Sequence, residues 1–107
     1  MKRLVIAEPA ARDLEGIVDY IALDDPAAAE RVYRGIVGAA EKLPEFPALG
    51  RPGRHARTRE LIVAGLPYLI VYEVSADAVT IVAVFHMSRD LARALHDRMR
   101  AAPEGKA

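Results

Sequence analysis

Between Pro44 and Gly53 the chain carries three prolines and two glycines, and this stretch separates two different kinds of pattern. Proline lacks a backbone N–H and glycine lacks a Cβ, so this density of breakers predicts a loop with no regular element in it. Before the loop, apolar residues recur at helical spacing. After it, they fall into the short β-branched and aromatic runs that strands make. Helices in front and strands behind predict an α+β fold.

The front half opens on Lys2 to Ala7, centred on Leu4-Val5-Ile6, which reads as a buried strand stopped by Glu8-Pro9. Pro9 opens a helix whose stripe is Leu14, Ile17, Val18 and Ile21, ending near Asp24. Asp25-Pro26 supplies a cap and a proline at the first helical position, and Ala29, Val32, Tyr33, Ile36, Ala40 and Leu43 carry a second stripe to Pro44. Two helices joined this tightly predict an antiparallel hairpin. In the back half, Thr58 to Val63, Pro67 to Val74 and Val79 to His86 read as strands joined by short turns, hence an antiparallel meander. Ser88 is expected to cap a last helix, with Asp90 in its first turn and Leu91, Leu95 and Met99 on its apolar edge. A tail from Ala101 is expected to be disordered. The element order is β-α-α-β-β-β-α, and the expected architecture has two layers, the N-terminal helical hairpin packed on an antiparallel sheet. The run Pro67-Tyr68-Leu69-Ile70-Val71-Tyr72 is apolar on both alternating faces. Either hairpin and final helix cover one face each, or a partner covers one of them.

A length of 107 residues fits a single domain spanning 1–107, and 52% hydrophobic with 28% charged residues is ordinary globular composition. No apolar run approaches the roughly 18 residues a membrane span needs, and Glu8 interrupts the start too early for a signal-peptide core, so a cytoplasmic protein is expected. The chain has no cysteine, and His55, His86 and His96 lack the short spacing of a metal-binding pair. No metal or cofactor is expected. A net charge of zero hides an asymmetry: the front is acidic and the back is basic, most densely at Arg51, Arg54, Arg57 and Arg59. Such a cluster attracts phosphates or an acidic protein surface, or is a solvated loop.

The element order, Gly50-Arg51-Pro52-Gly53-Arg54, Thr58-Arg59-Glu60-Leu61, Pro67-Tyr68-Leu69-Ile70-Val71-Tyr72 and Val84-Phe85-His86-Met87-Ser88-Arg89-Asp90 together resemble the ParE/RelE toxin superfamily across nearly the whole chain. The resemblance implies the toxin of a type II toxin–antitoxin system, wrapped and blocked by a cognate antitoxin. An apolar groove along the hairpin would accept an amphipathic helix, and an open sheet edge an added strand. Leu14, Ile17, Ile21, Tyr33, Tyr68 and Tyr72 are the candidate antitoxin contacts.

Two activities occur in the superfamily. RelE-type members cut messenger RNA on the ribosome and need groups to deprotonate the 2′-hydroxyl, stabilise the phosphorane and protonate the leaving oxygen. Those enzymes commonly carry a basic residue in the strand that here reads Tyr68-Leu69-Ile70-Val71-Tyr72, which has no cation, and a late tyrosine or histidine; no tyrosine follows Tyr72. Arg59, Glu60 and His86 remain the candidate catalytic set for that alternative, with Arg57 and Arg89 nearby. ParE-type members poison DNA gyrase, and they resemble this chain in the stretch from Val84 to Leu91. A gyrase poison needs a binding surface instead of a general base, so this reading is favoured, with Arg51, Arg54, Arg57, Arg59 and Arg89 as candidate target contacts. A third possibility is a member that has lost toxicity and survives as an antitoxin-binding module. Each residue also has a plainer reading: His86 holding the turn before the last helix, Glu60 pairing with an arginine across the sheet, and Tyr68 and Tyr72 packing in the core.

Overall fold

The computed structural model describes residues 1–101. Strand β1 (Arg3–Ile6) leads into helix α1 (Glu8–Ala22) and helix α2 (Pro26–Glu41). Strands β2 (Arg51–Pro52), β3 (Thr58–Ile62), β4 (Tyr68–Val74) and β5 (Ala78–His86) follow, and helix α3 (Leu91–Ala101) closes the chain. The five strands form one sheet in the order β1-β5-β4-β3-β2. The expected meander is its centre. Both edges go beyond the sequence reading: β1 lies parallel beside β5, with Ile6 opposite Ile81, and β2 turns the breaker-rich loop into a short edge strand, Arg51 opposite Glu60. Pro52 is tolerated there because it is the last strand and needs no further ladder partner.

The hairpin forms for the reasons its sequence states. Asp25 accepts a hydrogen bond from the Ala28 N–H at 3.1 Å, and Pro26 follows it at the first helical position. Ile36, Ala40, Leu43 and, in part, Leu14 and Ile17 pack on Tyr68, Ile70, Tyr72, Val79 and Ile81. Leu91, Ala94, Leu95 and Met99 of α3 cover Leu69, Val71, Ala83 and Phe85 on the opposite face. Hairpin and sheet thus make the two layers, and α3 caps part of the second face. The doubly apolar β4 is covered within the chain.

A bulge makes this possible. Tyr72 faces Ile81 while Val71 faces Ala83, leaving Val82 as the extra residue of β5. Without it, Val79, Ile81, Ala83 and Phe85 would all share one face. With it, the first two serve the hairpin core and the last two the α3 core.

The last helix starts later than expected. Asp90, not Ser88, is its cap: the Asp90 carboxylate accepts the Arg93 N–H at 3.2 Å and its carbonyl accepts the Ala94 N–H at 2.9 Å. Ser88 belongs to the preceding turn. Ala101 ends α3, and 102–107, the remainder of the expected tail, lie outside the described residues. Among the described residues no helix is long and apolar enough to cross a membrane.

Candidate functional site

The cationic loop between Gly50 and Arg59 is held at three points. The first is Tyr72, fully buried, whose hydroxyl accepts the Gly50 N–H at 2.8 Å and donates to the Pro47 carbonyl at 2.7 Å. The second is Glu60, 2% exposed. Arg54 meets it with two parallel bonds, Nε to Oε2 and Nη2 to Oε1, both 2.9 Å, and adds its own backbone N–H at 3.0 Å. Arg51 stands 3.5 Å from Oε1. The third is a turn in which the His55 carbonyl accepts both the N–H and the hydroxyl of Thr58, at 3.2 and 2.6 Å. Arg57, inside that turn, has φ of 68°, the left-handed region that a non-glycine residue enters at a cost.

Burial on its own would raise the Glu60 carboxyl, but the side-chain and backbone hydrogen bonds from Arg54 and the charges of Arg54 and Arg51 outweigh it and hold the group below its ordinary value. Glu60 is therefore a fixed anion around which the loop is built. Of the five candidate target arginines, Arg54 is committed to it and Arg51 is loosely associated while remaining exposed. Arg59 sends Nη1 to the Gly50 carbonyl at 2.5 Å. Arg57 enters none of the ion pairs that fix the loop. Arg89 stacks over the Phe85 ring, 4.8 Å from its centre.

The five do not form one patch. Arg59 lies opposite Tyr72, whereas Arg89 follows His86, which lies opposite Tyr68. Four residues of strand separate the two ends, roughly 13 Å at about 3.3 Å per residue.

Nor do Arg59, Glu60 and His86 converge. Neighbours on a strand point to opposite faces, and the register bears this out: Arg59 shares a face with Tyr72 and the hairpin, Glu60 with Val71 and α3. Glu60 already carries its arginine. The Nδ1 of His86 accepts the Ser88 N–H at 3.0 Å, which leaves Nε2 as an N–H donor with no free lone pair to take a proton. The ring stands edge-on to Tyr68 at 5.1 Å. The catalytic set expected for RNA cleavage is thus split between two faces and spent on internal contacts. What His86 and Arg89 do join is a cavity of about 400 Å³ between α1 and β5, together with Arg12, Gly16 and Tyr20. No local sequence signal announces that meeting, because α1 and β5 are joined only in the fold.

The antitoxin candidates also divide. Tyr68 and Tyr72 are 7% and 0% exposed: Tyr72 is enclosed in the hairpin core, and Tyr68 keeps a small edge on the cavity that His86 and Arg89 line; burial also pushes the Tyr68 hydroxyl up from its ordinary value. Leu14 and Ile17 are partly buried against that core, and Ile21 is half-buried. Tyr33 is 47% exposed and, with Leu14, Val18 and Ile6, lines an apolar cavity of about 400 Å³ beside the hairpin.

Asp13 and Arg98 were not singled out by the sequence. β1 stops opposite Ile81, so β5 continues from Val82 with no strand on that side. Asp13 of α1 accepts the Val84 N–H there at 2.9 Å, and Arg98 of α3 donates to the Val82 carbonyl at 3.0 Å. The two side chains also pair with each other. The Asp13 hydrogen bond raises Arg98 above its ordinary value, against the opposing effect of burial.

Comparison with known proteins places this geometry. Residues 4–91 match the sequence model of a family described as ParE toxin of type II toxin-antitoxin system, parDE. The chain is 48% identical over 85 residues to a putative toxin, Y4kP, of Sinorhizobium fredii, covering 79% of this chain and 88% of the relative. It is 39% identical over 89 residues to toxin RelE2 of Caulobacter vibrioides, covering 83% and 99%. A solved chain from the chromosomal ParDE TA system of P. aeruginosa superimposes with a TM-score of 0.75 at 24% identity, covering 80% of this chain and 96% of that one, which shows a shared fold. The chain belongs to the ParE toxin family of type II toxin–antitoxin systems.

Proposed function

We propose that this toxin arrests growth by poisoning DNA gyrase and that a cognate antitoxin silences it by covering the helical hairpin. The observation that carries the reading is the fate of the nuclease candidates. Arg59 and Glu60 lie on opposite faces, Glu60 is saturated by Arg54, and the only free nitrogen of His86 is a donor. A gyrase poison needs no general base, only a surface of defined shape, and the loop from Gly50 to Arg59 is rigidly held with Arg51 and Arg57 exposed. The P. aeruginosa neighbour comes from a ParDE TA system, which supports a paired antitoxin here. The exposed Tyr33 and the apolar cavity beside it suit the apolar face of an amphipathic helix.

The test is induction of the chain without antitoxin, with gyrase supercoiling and messenger RNA integrity followed side by side. Growth arrest with a DNA-damage response, inhibited supercoiling of purified gyrase and intact RNA is the expected result. Codon-positioned RNA cuts within minutes, lost on changing His86, would overturn it in favour of a ribonuclease. Harmless expression would overturn it in favour of a binding module.

A further inference from the structure

At the corner of the sheet where β3 begins and β4 ends lies an open cavity of about 370 Å³, lined by Pro52, Arg57, Thr58, Arg59 and Val74. Its lining residues include two arginines and no acid. Of the acids closest in register, one is already paired and the other stands on the alternate face. Glu60 is held by Arg54 and Arg51, and Glu73, opposite Thr58, alternates to the face away from Arg59 and Val74. Among the described residues, no ion pair neutralises Arg57 or Arg59.

One cation is anchored through its side chain, and the other is carried on a hydrogen-bonded turn. Arg59 is anchored through one nitrogen to the Gly50 carbonyl, which leaves its remaining N–H donors available. Arg57 is presented by a turn closed by Thr58 on His55, with the Gly53 N–H bound to the Thr58 carbonyl at 2.8 Å. Its left-handed backbone, φ 68°, is a conformation that glycine or asparagine would adopt at less cost. Strain retained at a residue whose side chain holds none of the loop together points to a use outside the fold. The rest of the wall narrows the choice of ligand. Pro52 and Val74 set apolar surface beside the cations, and the polymer that alternates oxyanions with compact, largely apolar rings is a sugar–phosphate backbone.

We propose that the Arg57–Arg59 cavity is a phosphodiester-binding site that seats the backbone of duplex DNA. It deepens the gyrase reading and rests on it for its biological setting, since gyrase holds DNA while it is poisoned.

The experiment is fluorescence anisotropy of the full chain with a labelled DNA duplex across a salt series, with an acidic peptide of equal charge as the competing probe. Arg57→Gly is the informative variant, because it relieves the left-handed residue while removing the cation. It is expected to melt no lower than the parent, to bind DNA roughly tenfold more weakly at low salt, and to lose about one unit of the slope of log affinity against log salt. Arg93→Ala on α3 is expected to bind as the parent does. A variant Arg57→Gly with parental DNA affinity, or a parent chain that prefers the acidic peptide, would overturn the site. A chain that inhibits gyrase while binding no DNA would keep the gyrase reading and overturn the site. One that binds DNA through Arg57 and leaves gyrase untouched would do the reverse.

Discussion

The Asp13 carboxylate and the Arg98 guanidinium, 85 residues apart in sequence, meet in two bonds of 2.8 Å each. The pair does more than join α1 to α3. Each partner also satisfies one backbone group of β5, at the bulge residue Val82 and just past it at Val84, where no strand remains to do so. Unpaired strand edges invite pairing with other chains, and here two side chains close the gap. Arg98 additionally lies over the Phe85 ring, 5.3 Å from its centre, so its planar head serves three contacts that a lysine would not reproduce.

Arg98→Ala is expected to destabilise the fold by about 2–4 kcal/mol, because it leaves a largely buried Asp13 without its cation. The loss should fall unevenly. α3 buries only Ala94 and Leu95 fully, so its amides should exchange with solvent far faster in the variant while those of β4 change only by the global loss. Urea denaturation together with residue-resolved hydrogen exchange measures both. Equal acceleration across the chain would show that the pair is not the latch of α3.

A second prediction concerns the clasp at Gly50. Tyr72→Phe keeps the ring in the core but removes the hydroxyl that joins Pro47 to Gly50. Two backbone groups lose their partner, for about 1–2 kcal/mol of stability. Gly50→Ala attacks the same place sterically: a Cβ there would stand 2.7 Å from the Tyr72 hydroxyl and 2.8 Å from the Glu60 carbonyl, and forcing it in costs about 1–3 kcal/mol. Since both changes disturb one clasp, the double variant should lose less than the two single losses added together. Strict additivity in denaturation experiments would contradict a shared clasp.

How much of this could be read beforehand depends on how local the cause is. The Asp25-Pro26 cap, the two stripes and the three-strand meander all arise within windows of a few residues, and all are present. The placement of β1 beside β5 pairs residues such as Leu4 and Val79, and nothing in either short apolar run specifies the other. The bulge at Val82 reverses the alternation within β5, so period-two reasoning assigns Val79 and Phe85 to one face when they serve opposite cores. Asp90 and Ser88 are both competent caps, and the hydrogen bond between Ser88 and His86 fixes the turn so that the helix begins at the later one. The arginine cluster was visible, but its division was not, because Glu60 selects Arg54 and Arg51 only once β2 lies against β3. One part was available and unused: Arg59 and Glu60 are adjacent on a strand, so alternation alone prevents them from acting on one substrate atom.

The Glu60 ion pair makes stability depend on acid in a defined direction. Because its carboxyl is held below the ordinary value in the folded chain, the stabilisation is complete above the unfolded value of about 4.3 and is lost as pH falls through the lower folded value. Glu60→Gln, which preserves shape and leaves Arg54 without its anion, is expected to cost about 2–3 kcal/mol near neutrality. As the pH falls through that lowered folded value the parent protonates the same group, and the gap between parent and variant should close. Urea unfolding of both chains across that range checks it. A gap that stays constant with pH would mean that the cost comes from packing and not from charge.

Tyr33 offers the cleanest separation of partner binding from folding. It is large and aromatic, nearly half its surface is in solvent, and it lies on the same stripe of α2 as the core residues Ile36 and Ala40, one to two turns before them, where the stripe leaves the core and lines the cavity with Leu14 and Val18. Aromatic anchors of this kind carry a disproportionate share of binding energy when a partner covers them, on the order of 1–3 kcal/mol each. Tyr33→Ala should therefore weaken the complex with the antitoxin by roughly ten- to a hundredfold, while the unfolding midpoint of the toxin alone falls by less than for a core tyrosine, because nearly half of the residue is already in solvent. Calorimetric titration against the antitoxin, beside thermal melts of the free toxin, gives the two numbers. Parental affinity in that variant would move the antitoxin contact away from the hairpin and towards the exposed edges of the sheet, and an affinity lost in step with stability would show Tyr33 to be a fold residue.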